Sequence, residues 1–177
     1  MKKVVRIFKW DLTEKELKRI LLFLVKLNLL LIPLYLIILA GFQLAFLKDV
    51  TKDAVLGMLQ AGGIGAYETG NFIVVPVEGG EFAGTVDWDC TGWKSMFALF
   101  ALVFATDFAI RKKLLGLLFL PLVYAVNLVR IWFMFYYVHV YGTAHYSVIH
   151  ATIWSWGLIA AILLFWVAWM RLVNWRL

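Results

Sequence analysis

A chain of 177 residues that is 64% hydrophobic, with a mean hydropathy of +0.87, exceeds the roughly 45–50% apolar content of ordinary soluble domains, so lipid must solvate much of its surface. The net charge of +6 does not indicate nucleic acid, because the basic residues sit in clusters at the ends of apolar runs, as positive-inside flanks do. One cysteine, Cys90, excludes an intrachain disulfide.

In chain order, residues 1–19 read as a cytoplasmic, basic, amphipathic segment carrying Lys2, Lys3, Arg6, Lys9, Lys15, Lys18 and Arg19. Thr13 followed by Glu16 forms a capping box that opens a helix. The apolar run that follows is too long, and lacks the small-residue exit, for a cleaved signal peptide. Residues 20–177 read as a single membrane domain. The first span covers about 20–47, with Lys26 snorkelling to the interface and Pro33 kinking the helix. The segment 48–90 is expected outside: seven acidic residues face only Lys48 and Lys52. Within it, 71–87 reads as a hairpin about Gly79 and Gly80, with Pro76 confining its strand to an edge. The second span, 91–110, stops at Arg111, Lys112 and Lys113. The third covers 114–141, residues 142–147 make a short outer connection, and the fourth covers 148–170 before Arg171; Arg176 adds to the last basic cluster. The expected fold is an all-α integral membrane protein of about four transmembrane helices, with a small extracytoplasmic hairpin-like segment and both ends cytoplasmic.

Few polar residues interrupt the spans, and each needs a reason there. Arg130 lies 17 residues past Lys113, roughly 25 Å up a helix, with Asn127 on the same face. Alone, such an arginine serves equally as an anchor for helix-end carbonyls. Cys90 lies in Asp87-Trp-Asp-Cys-Thr-Gly-Trp-Lys-Ser-Met96 at the outer start of the second span. A lone cysteine is often an inert small hydrophobe. Here a helix N-terminus and Lys94 would lower its pKa, and Gly92 would admit a close neighbour. His150 opens the fourth span, continued on its face by Trp154 and Gly157, while His139 lies farther along the third helix and His145 in a loop. Depth therefore gathers Cys90, Arg130 and His150 from three helices towards the outer face: a nucleophile, a cation and a base. The single Cys and three His show no metal-ligand spacing, and no cofactor is implied.

Cys90-Thr-Gly-Trp-Lys-Ser at a helix start, Asn127-Leu-Val-Arg130-Ile later, and a histidine opening the last helix resemble the exosortase/archaeosortase family, over about residues 85–165. The resemblance implies a small archaeal-type member of a group of membrane-embedded cysteine transpeptidases. These use a Cys, an Arg and a His to cleave C-terminal sorting signals (a short motif, a membrane helix and basic residues) from exported proteins. They then transfer the new carboxyl end to an acceptor such as a lipid. It implies Cys90, Arg130 and His150 as catalytic residues, with Asn127 and Lys94 as substrate-binding candidates. Arg130 would hold either the oxyanion or an acidic residue of the signal. Two features depart from the family: fewer spans than is common, which leaves room for a membrane partner subunit, and Thr91 where many members have Ser. The competing reading is a non-enzymatic membrane scaffold or transporter subunit.

Overall fold

The computed structural model describes residues 4–7, 10–152 and 156–175. Lys2, Lys3, Lys9, Trp154 and Arg176 lie outside the described residues. The chain is mostly helical with a small sheet. Two stretches, Glu14–Leu39 and Ile110–Tyr141, are long and apolar enough to cross a membrane, while Trp93–Ala105 and Leu158–Val173 are shorter apolar helices.

The capping box is present. The Thr13 hydroxyl accepts from the Glu16 N–H at 3.4 Å, and the Thr13 N–H donates to the Glu16 carboxylate at 2.8 Å. Helix α1 (Glu14–Leu39) then runs straight into the apolar stretch. Among the described residues no separate amphipathic helix precedes it. Residues ahead of it pair as β1 (Val4–Ile7) and β2 (Trp10–Thr13), whose β-branched and aromatic content favours strands. The α1 helix buries none of its residues against the protein. The Lys26 ammonium pairs with Asp107.

The first span was expected to continue to residue 47. The chain instead turns after Leu39, and α2 (Ala45–Ala61) begins. Thr51, Val55 and Leu59, spaced four apart, form its buried stripe. Next come β3 (Tyr67–Thr69), β4 (Phe72–Val77) and β5 (Gly80–Thr85), an antiparallel sheet in the order β3-β4-β5. Pro76 therefore lies on the central strand, not an edge strand. It is tolerated because β3 pairs only as far as Val74, so beside Pro76 the strand has β5 as its sole neighbour.

A 3₁₀ turn (Trp88–Thr91) leads to α3 (Trp93–Ala105). At thirteen residues, about 20 Å, α3 is shorter than the expected 91–110. Its end is closed by the Thr106 hydroxyl, which donates to the Val103 carbonyl at 2.6 Å, and by Lys113, which donates to that of Phe104 at 2.9 Å. The third expected span is broken at residues 118–119 into α4 (Ile110–Leu117) and α5 (Leu120–Tyr141). Pro121 opens α5, where a missing N–H is harmless. Of the fourth, the described residues give α6 (Tyr146–Thr152), which carries His150, and α7 (Leu158–Trp175).

Two apolar cores result. Val55, Leu59, Ile73, Val75, Ile131 and Phe135 join α2, the sheet and one end of α5. Leu99, Val103, Val123, Ile162 and Trp169 join α3, α7 and the other end.

Candidate active site

Cys90 sits on the 3₁₀ turn between the sheet and α3. Its N–H donates to the Asp87 carbonyl at 2.8 Å. The neighbouring Thr91 hydroxyl, fully buried, donates to the Trp88 carbonyl at 2.8 Å, so this position uses its hydroxyl to hold the turn. Trp88 stacks on Trp93 across it, ring centroids 5.1 Å apart. Gly92 has φ +78°, and a Cβ there would lie 2.8 Å from Asn127 Cγ. The close neighbour that this glycine admits is therefore Asn127.

Asn127, completely buried on α5, donates from Nδ2 to the Cys90 carbonyl at 2.8 Å. Arg130 Nη2 points at the same carbonyl from 3.5 Å, a long and weak bond. The two residues of the Asn-x-x-Arg pair, one helical turn apart, thus converge on the backbone of the cysteine. Asn127 was expected among substrate-binding residues. Its burial leaves it no surface to offer a substrate and makes it a support for the turn.

Cys90, Arg130 and His150 line one cavity, together with Gly84 and Thr85 of β5, Phe135 of α5 and Tyr146 of α6. Its volume is about 40 Å³, room for about two or three water molecules. Cys90, His150, Tyr146, Gly84 and Thr85 also line an adjoining open groove of about 650 Å³, which Asp87 and Asp89 line as well. Gly84 lets the sheet close on α5, since a Cβ there would meet the Phe135 ring at 2.9 Å. Tyr146 stacks on His150 at 5.4 Å and packs against Phe82 at 5.4 Å, holding the imidazole over the cavity. It was absent from the expected site, although its place four residues before His150 puts both on one helix face.

The electrostatics differ from the expectation. Lys94 pairs with Asp89 at 2.8 Å, so its charge is engaged away from the thiol and it does not line the cavity. Gly92 separates Cys90 from the first turn of α3. Burial pushes the Cys90 thiol above its ordinary value; Arg130 pulls down, and Asp87 and Asp89 push up. Burial, and then Arg130, holds His150 below the ordinary imidazole value. Both directions favour the uncharged forms, a thiol at Cys90 and a neutral imidazole at His150.

The other histidines stand apart. His139 donates from Nδ1 to the Pro76 carbonyl at 2.5 Å and so ties α5 to β4. His145 is exposed.

The model of the transmembrane exosortase family matches residues 10–173. No curated protein and no solved structure matches the chain.

Proposed function

The chain belongs to the transmembrane exosortase family, and we propose that it is a membrane-embedded cysteine transpeptidase cleaving the C-terminal sorting tails of exported proteins. The observation that carries this reading is the single cavity lined by Cys90, Arg130 and His150. In the proposed reaction His150 takes the thiol proton as Cys90 Sγ attacks the scissile carbonyl. The tetrahedral oxyanion develops beside the Arg130 guanidinium. Collapse breaks the C–N bond, His150 returns the proton to the leaving amine, and a thioester remains on Cys90. An acceptor hydroxyl or amine, in a lipid or elsewhere, then loses its proton to His150 and attacks the thioester, restoring the thiol. Water in that place gives simple hydrolysis.

In this reading both termini are cytoplasmic and the cavity opens at the outer face. The substrates are exported proteins ending in a short motif, an apolar helix and basic residues. Asn127 holds the Cys90 turn, and Lys94 only neutralises Asp89.

The test is co-expression with reporters carrying such tails from exported proteins of the same genome. Wild-type protein shortens a reporter, and Cys90→Ala accumulates it uncut while remaining folded in the membrane. Equal processing in Cys90→Ala overturns the cysteine mechanism.

A further inference from the structure

The cavity is too small for a polypeptide, so a peptide substrate has to reach Cys90 from the adjoining groove. Four consecutive residues of β5 (Phe82, Ala83, Gly84 and Thr85) line that groove. Consecutive side chains of a strand point to opposite faces. A groove touching all four reaches the strand's edge, and at the Thr85 end it extends to Phe72 of β4, the residue paired with Thr85.

That edge is open. In the sheet order β3-β4-β5, the β5 strand has one neighbour. The tight hairpin closes with Val77 opposite Gly80, which makes that pair hydrogen-bonded. Alternation then makes Phe82 and Gly84 hydrogen-bonded to β4 and turns the N–H and C=O groups of Glu81, Ala83 and Thr85 away from it. Pro76 checks the register independently. Opposite Glu81 in a pair of the second kind, it needs no N–H towards β5, and its carbonyl points away to His139. Among the described residues, Glu81, Ala83 and Thr85 make no backbone hydrogen bond beyond the β4 ladder. Thr85, the last of them, lines both the groove and the cavity of Cys90.

We infer that the substrate's extended segment beside the scissile bond binds as an added strand along β5, using the outward backbone groups of Glu81, Ala83 and Thr85, and is thereby delivered to Cys90. This rests on the peptidase reading above. Backbone pairing supplies affinity without demanding particular side chains. Asp87, which lines the groove next to Thr85, favours neutral or basic side chains on the part of the segment beside it, while Lys94 neutralises Asp89.

The experiment measures alkylation of Cys90, the sole cysteine, in the purified full chain. Two reagents carry the same warhead: acetyl-Thr-Lys-Thr-Ala chloromethyl ketone and the single-residue acetyl-Ala chloromethyl ketone. The tetrapeptide reagent should react at least tenfold faster. N-methylating alternate amides should erase that advantage in one phase of the alternation and spare it in the other. Ala83→Pro removes one outward N–H without touching the β4 ladder. It should erase the advantage, read as the ratio of the two rates in the same variant, and Ala83→Val should keep it. A tetrapeptide no faster than the single residue, N-methyl effects without alternation, or an advantage that survives Ala83→Pro would each overturn strand addition. The N-methyl series uses wild-type protein, so a folding defect in a variant cannot mask the answer. A chain that passes this test yet shortens no tail keeps the docked strand and loses the transpeptidase.

Discussion

With the thiol of Cys90 pushed up and the imidazole of His150 pushed down, the proton has to move when substrate arrives. Three expectations follow at this scale. Alkylation of Cys90 by iodoacetamide should rise with pH about a midpoint above the ordinary cysteine value of about 8.5. Because Arg130 stabilises the thiolate, Arg130→Gln should move that midpoint higher still. Arg130→Lys should bring it back towards wild type while leaving tail processing impaired at least tenfold, since an ammonium keeps the charge but not the planar fork. A midpoint below 8 in the wild type would mean that the pair rests ionised. The histidines divide as well. His150→Ala should abolish processing. His139→Ala should retain it and lose about 1 kcal/mol of stability with the bond to Pro76, read as a lower thermal midpoint.

Among the elements, the 3₁₀ turn that carries Cys90 depends on Gly92. Alanine there meets a left-handed backbone and the Asn127 side chain together, and should cost about 2–4 kcal/mol. Thermal unfolding of Gly92→Ala, and of Gly92→Ala with Asn127→Gly, measures how much is collision; partial recovery in the pair is expected. The three residues that share the cavity were named in the sequence by an expected common depth for Cys90, Arg130 and all three histidines, and His150 was singled out by its place on a helix together with the family resemblance. The role of Asn127 was not, since nothing in Asn-x-x-Arg says whether the amide faces a substrate or a carbonyl of its own chain. Charge misled in two places. The acidic stretch 48–90 read as loop and hairpin because its carboxylates outweighed Thr51, Val55 and Leu59, whose spacing of four is the mark of α2. Lys94 read as a partner of the thiol because Asp89, a turn away in sequence, was not weighed as the nearer counter-ion. The bounds of the spans failed where polar caps stop helices inside apolar sequence, as Thr106 and Lys113 do for α3.

At the scale of the molecule, the proposed orientation makes a direct forecast. Reporter fusions at Lys112 should read cytoplasmic, and those at Gly79 and Thr143 external; an external reading at Lys112 would separate the cavity from exported substrates. The fold has two cores, and among the described elements α5 alone belongs to both: Val123 packs with α3 and α7, while Ile131 and Phe135 pack with α2 and the sheet. Asn127 and Arg130 fall on the stretch between. Descent with modification can therefore rebuild the sheet half to read a new cargo while the helical half is inherited unchanged, so long as the nine residues from Val123 to Ile131 keep their faces.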